Sequence, residues 1–176
     1  MSTRWVNIAP LFDHHQEETA ADLKRLYNET CIDSVAFCCT LVPEANPPLN
    51  KAAILAERFL KMKELLKDCG IKCGILLQAT MGHGWTPDSK SPFQNTVLPD
   101  GNSPYVFCPL GDEFLNYIRG QIATLASTEP DFFMLDDDTR LITGRGGCFC
   151  PLHLEEFKRR TGKLYTREEL ASLIKT

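Results

Sequence analysis

Four times along this chain a short apolar run is followed by a loop and then by a segment with apolar residues at helical spacing. That alternation constrains the fold more than any other feature. Successive strands that run the same way need a crossover long enough to hold a helix, so strand–helix repeats build a parallel sheet with right-handed connections. The first run is Trp5 to Leu11, followed by a helix from about Glu17 to Glu29 with Ala20, Leu23, Leu26 and Tyr27 on one face. The second run, Ser34 to Leu41, is continuously apolar, as in a strand covered on both faces. The breaker-rich segment Val42 to Pro48 follows it. Next comes a helix from about Leu49 to Asp68, its stripe formed by Ile54, Leu55, Phe59, Met62, Leu65 and Leu66 and its end marked by Gly70.

The third run is Lys72 to Gln78, with a third helix from about Asp112 to Ser127. The fourth, Asp131 to Leu135, ends in Asp136-Asp137-Asp138. A fourth helix opens near Pro151, which suits a first helical turn, and Thr166-Arg167-Glu168-Glu169 reads as a capping box before a short last helix. Long loops follow strands and short ones follow helices. No Gly-x-Gly-x-x-Gly follows the first strand, so a dinucleotide fold loses its main support. The expected fold is α/β: four parallel (β/α) units with four to five helices, half of a (β/α)8 barrel, with residues 1–176 as a single N-terminal half. An isolated four-strand arc leaves two open edges and an uncovered inner face. The chain is therefore expected to be a fragment, completed by a missing C-terminal half-barrel or by a second copy.

Composition narrows the function classes. A 176-residue chain, 43% hydrophobic and 24% charged, is large enough to bury one core. Its net charge of −4 argues against a nucleic-acid scaffold, which needs a basic stripe. The cluster Lys158-Arg159-Arg160 lies on a predicted helix and reads as a solvated face. No stretch reaches the roughly 18 apolar residues of a membrane helix, and no signal peptide is visible; a cytoplasmic chain without a membrane partner is expected. Of eight cysteines, Cys38, Cys39 and Cys73 fall in strand-like runs as small hydrophobes, while Cys31 and Cys69 lie near helix ends without ligand spacing. Cys108, Cys148 and Cys150 lie in loops.

In Cys148-Phe149-Cys150-Pro151-Leu152-His153, two thiols and an imidazole fall within six positions at a loop-to-helix junction. Zinc takes four soft or borderline donors in a tetrahedron, and adjacent strands would bring Cys108 alongside as the fourth. Such a set leaves no open coordination position, so the zinc would be structural. The alternative is three unrelated reduced cysteines and a surface histidine. Three consecutive aspartates at a strand end repel one another and lose solvation, a costly arrangement without a role. Strand alternation points Asp136 and Asp138 together. They suit a general acid, contacts to substrate hydroxyls, or a Mg²⁺ site; a solvated acidic turn is the alternative. His14, beside Asp13 and His15, and His83 with Trp85 follow the first and third strands. An indole with nearby imidazoles and carboxylates suits a sugar, although each residue taken singly also fits a structural loop position.

Phe107-Cys108-Pro109, a helix, Phe132 to Asp138, and then Cys148-x-Cys150-x-x-His153 with Phe157 together resemble glycoside hydrolase family 42, the barrel β-galactosidases. The resemblance covers roughly the last seventy residues; the first hundred match in architecture only. It implies a zinc site at Cys108, Cys148, Cys150 and His153, with His153 standing where the family has a last cysteine. It also places Asp138 in the acid/base position and Asp137 in that of the preceding asparagine. The family has glutamate as its acid/base, and aspartate is one methylene shorter. A retaining pair depends on a carboxyl separation of about 5–5.5 Å, so stereochemistry and substrate stay open. The family's nucleophile lies on the seventh strand, beyond residue 176.

The resemblance implies a carbohydrate substrate, with Asp138 as a general acid kept protonated by its like-charged neighbours. Asp136, Asp137, His83, Trp85 and His14 are the candidate sugar contacts. This chain alone is expected to be catalytically silent, because the second carboxylate is missing. Two other readings stay open: a Mg²⁺-dependent hydrolase or phosphoryl-transfer enzyme using the aspartates, and a non-catalytic carbohydrate-binding or scaffold module.

Overall fold

The computed structural model describes residues 5–82, 90–136, 141 and 147–174. Their order is β1 (Trp5–Pro10), α1 (Gln16–Glu29), β2 (Ile32–Thr40), α2 (Lys51–Leu66), β3 (Lys72–Gln78), α3 (Asp112–Ala126), β4 (Phe133–Leu135), α4 (Pro151–Thr161) and α5 (Arg167–Ile174). The strands form one all-parallel sheet in the order β1-β2-β3-β4. A doubly wound sheet reverses its strand order at a switch point. Here the strand order is sequential across the sheet, so each described crossover steps the same way.

Contacts divide the chain into two compact units. The first contains residues 1–41, 50–78 and 119–136; the second contains 42–49, 79–118 and 137–176. The sheet belongs to the first. On one face Val35, Phe37 and Cys39 of β2 and Cys73, Ile75 and Leu77 of β3 are buried, and the Phe37 ring meets Phe59 of α2 edge-on at 6.0 Å. The central strands are buried on both faces, which is why they read as continuous apolar runs. The edge strands are not. Trp5, Val6 and Ile8 of β1 and Phe133, Met134 and Leu135 of β4 are all exposed.

One expectation about α2 needs correction. Its buried face is Ala52, Ala56, Phe59, Met62 and Leu66, whereas Ile54 is 55% exposed. The two alanines let the helix sit close to its neighbours, turning Ile54 out. The start of α2 is secured from inside its own unit: Ala53 N donates to the Asn50 side chain, and Ala52 N donates to Gln121 Oε1 of α3 at 2.8 Å.

In the second unit Phe107 anchors an aromatic group. Its ring stacks on Phe114 at 5.2 Å and meets Tyr105 and Phe93 edge-on. The capping box before α5 is complete, with Glu169 N donating to Thr166 Oγ1 and Thr166 N to Glu169 Oε2. On α4, Arg159 and Arg160 both pair with Glu156 on an exposed face, as a solvated basic cluster should. Among the described residues, no helix is long and apolar enough to cross a membrane.

Candidate metal centre

Cys108, Cys148, Cys150 and His153 converge in the second unit, with one donor atom from each lying within 4.8 Å of all the others. Cys108 Sγ lies 3.3 Å from His153 Nδ1 and 3.5 Å from Cys150 Sγ, and Cys150 Sγ lies 3.5 Å from His153 Nδ1. Zn–S and Zn–N bonds of about 2.3 and 2.0–2.1 Å imply tetrahedral edges of roughly 3.5–3.8 Å. The observed separations fit an ion at the centre after small side-chain adjustments.

Local backbone chemistry explains the convergence. Cys108 sits in a turn closed by Gly111 N donating to its carbonyl, and its own N–H donates to Gln94 O at 2.8 Å. The turn aims Leu110 N–H at Cys108 Sγ, 3.4 Å away. Cys150 is the extended residue capping α4, followed by Pro151, and its carbonyl accepts from His153 N and Leu154 N. Pro151 loses no hydrogen bond in a first turn, so the helix starts there and His153 is folded back toward the sulfurs. Between the two thiols, the buried Phe149 donates its N–H to Val97 O at 2.7 Å. Residues 94–97 therefore hold both arms of the cluster.

Cys108 and Cys150 are fully buried, and Cys148 and His153 are half-buried. The three sulfurs share charge unequally. Hydrogen bonds from Cys108, Cys148 and His153 hold the Cys150 thiol far below its ordinary value. Cys108 is pushed far up, because it shares its proton with Cys148 and Cys150 and is buried. Without a cation, three close sulfurs support one thiolate comfortably; a divalent ion would stabilise all of them. The donor set suits a thiophilic metal and leaves no position for substrate. Beside the cluster, α4 and α5 enclose a cavity of about 400 Å³ lined by His153, Phe157, Leu170 and Leu173 among others.

The remaining candidate residues fare differently. Asp136 follows β4 and is half-buried; its N–H donates to Leu77 O, and its carboxylate accepts from Gln78 Nε2 at 3.0 Å. Gln78 pairs in register with Thr40, so Thr40, Gln78 and Asp136 form a polar row at the carboxyl ends of three adjacent strands. Sequence reading missed Gln78 and Thr40, which carry no motif and are visible only through strand register. His14 is exposed, hydrogen-bonded to Asp13 and edge-on to His15 at 4.5 Å. His83, Trp85, Asp137 and Asp138 lie outside the described residues. All eight cysteines are unpaired.

No family model, curated protein or solved structure matches this chain.

Proposed function

We propose that the chain is the N-terminal half of a carbohydrate-active (β/α)8-barrel hydrolase, its loops braced by a structural zinc. The observation that carries this reading is the convergence of Cys108, Cys148, Cys150 and His153, the set by which the sequence resembles the barrel β-galactosidases. The sequential parallel sheet supports it, and so does a polar row at the strand carboxyl ends, where (β/α) proteins bind ligands. Asp138 is assigned the general-acid role, with Asp136, Asp137, His83, Trp85 and His14 as sugar contacts. The exposed apolar edge strands β1 and β4 would be covered by further (β/α) units or by a second copy. Eight unpaired thiols suit a reducing compartment, hence a cytoplasmic location.

Zinc, when bound, neutralises the thiolates and ties the Cys108 turn to the start of α4. It touches no reacting atom in this reading. The test has two arms. Elemental analysis of the purified chain should give one zinc per chain, and aryl glycosides should be hydrolysed only by a complete barrel containing this half. Turnover unchanged by Asp138→Ala in the complete protein would remove the acid role. Saccharide binding without turnover would favour a binding module, and activity lost to chelation and restored by Mg²⁺ would favour the aspartate-metal reading.

A further inference from the structure

The cavity of about 400 Å³ beside the cluster has two of its members, Cys148 and His153, in the wall. The rest of its described lining is apolar: Phe149, then Leu154 and Phe157 of α4, and Leu170, Leu173 and Ile174 of α5. None of these described lining residues is Asp, Glu, Lys or Arg. The volume lies within the range of small-molecule sites. Leu173 and Ile174 are each 56% exposed, so the α5 wall meets solvent, whereas Phe149 is buried.

The three sulfurs of the cluster are not equally reachable. Cys108 and Cys150 have no exposed surface, while Cys148 is half-buried and lines the cavity. The Cys108 sulfur lies within 4.8 Å of the Cys148 sulfur and comes from a separate turn. A disulfide needs an S–S distance of about 2.0 Å, so modest side-chain movement could join the two. A reachable sulfur with a second thiol beside it is the arrangement that two-electron oxidation requires, the first sulfur being oxidised and the second closing the bridge. Alkylation needs no second thiol.

We propose that this cavity admits an apolar organic hydroperoxide, which oxidises Cys148 and joins it to Cys108 as a disulfide, dismantling the metal site. This chemistry rests on the zinc reading of the cluster and not on the sugar reading. The Cys148 sulfur attacks the terminal oxygen of R–O–O–H. The O–O bond breaks, the alkoxide takes a proton and leaves as the alcohol, and Cys148 becomes a sulfenic acid. The Cys108 sulfur then attacks the Cys148 sulfur, the S–S bond forms, and hydroxide leaves and is protonated to water. The two sulfurs give up two electrons and the hydroperoxide takes them. Only Cys150 and His153 then remain as donors, two where zinc takes four. A reducing compartment returns the bridge to thiols, so the change is reversible.

The test uses the zinc-loaded full chain, with zinc content measured first and release followed by a chromophoric chelator. Cumene hydroperoxide should release one zinc per chain and leave a Cys108–Cys148 bridge by peptide mapping. It should act about tenfold faster than hydrogen peroxide at equal concentration, the gain from placing an aryl body on apolar side chains. Cumyl alcohol, which has the same body and no O–O bond, should release none. Cys148→Ser removes a ligand together with the oxidised sulfur, so the decisive variant is Ile174→Glu, which puts a carboxylate on the exposed α5 wall. It should bring the cumene hydroperoxide rate down to that of hydrogen peroxide and leave zinc content and the hydrogen peroxide rate unchanged. Zinc retained under cumene hydroperoxide, equal rates for the two peroxides, a bridge that leaves Cys148 reduced, or a cumene hydroperoxide rate untouched by Ile174→Glu would each overturn the proposal while the zinc reading stands. A chain that holds no zinc before oxidant is added overturns both.

Discussion

The Phe132 ring lies against Gly74 so closely that a Cβ added to the glycine would sit 2.4 Å from two ring carbons. The contact crosses from β3 to the start of β4, where Ile75 N donates to Phe132 O and Asp131 N to Cys73 O. Glycine leaves the space on the sheet surface that the aromatic ring fills. Gly74→Ala should therefore displace Phe132 and destabilise the chain by about 1–3 kcal/mol, as overpacking does. Gly120→Ala is the internal control. Gly120 lies within α3 with nothing inside 4 Å of an added Cβ, so that change should stabilise by about 0.5–1 kcal/mol. Denaturant unfolding of both variants reads the opposite signs directly.

The four-donor cluster predicts a metal dependence of stability. A ligand bound only by the folded state stabilises by about 2.7 kcal/mol at one hundred times its dissociation constant. Chelation should lower the unfolding midpoint, and added zinc should restore it. Cys108→Ser should reduce metal content from one per chain toward zero, because it removes a buried donor that holds the turn against α4. Cys38→Ser should leave metal content unchanged, since Cys38 lies on β2 in the other unit. Equal metal content in the two variants would exclude the cluster as the site.

What was legible in the sequence follows the range of the interactions involved. The Thr166–Glu169 capping box is local, and both of its hydrogen bonds form. The strand runs were legible because β2 and β3 are buried on both faces, so their composition carries the signal. The Cys148–His153 spacing is local too, and the expected convergence with Cys108 forms; only the backbone bonds that hold it, to Gln94 and Val97, lie in a loop with no periodicity to read. Helical spacing places Ile54 on the apolar stripe because α2 carries two adjacent apolar faces. Which of them turns inward is decided by Ala52 and Ala56, whose small size matters only once neighbours are in place. The row of Thr40, Gln78 and Asp136 needs strand register, which no single segment encodes.

Cysteine reactivity should sort by environment. Burial pushes both Cys39 and Cys73 up to about 12, with further negative charge from Cys38 on the former and from Asp131 on the latter. The thiolate is the nucleophile, so both are protected twice over, by charge and by access. Cys31 is exposed after α1. With iodoacetamide at about pH 8, Cys31 should be alkylated first, and Cys39 and Cys73 only under unfolding conditions, as peptide mapping would read. Early labelling of Cys73 would show that β3 opens more readily than its hydrogen bonds to Phe132 and Asp131 imply.

Tyr117 should limit the alkaline stability of its unit. Its hydroxyl donates to Leu49 O at 2.8 Å, and burial, with smaller contributions from Glu44 and Tyr105, pushes the phenol up to about 12. Free tyrosine ionises near pH 10, so the unfolded chain releases this proton first. Below about pH 10 both states hold the proton and Tyr117 adds no pH dependence. Between about pH 10 and 12 only the unfolded state has lost it, so each rise in pH favours unfolding. The unfolding midpoint should fall across that window, and Tyr117→Phe should flatten the fall while costing some stability at neutral pH through the lost bond to Leu49. Phenolate absorbance gives a second reading, because one tyrosine should ionise well above the ordinary range in the native chain and lose that displacement in denaturant. An unchanged alkaline slope in Tyr117→Phe would assign the loss to other groups.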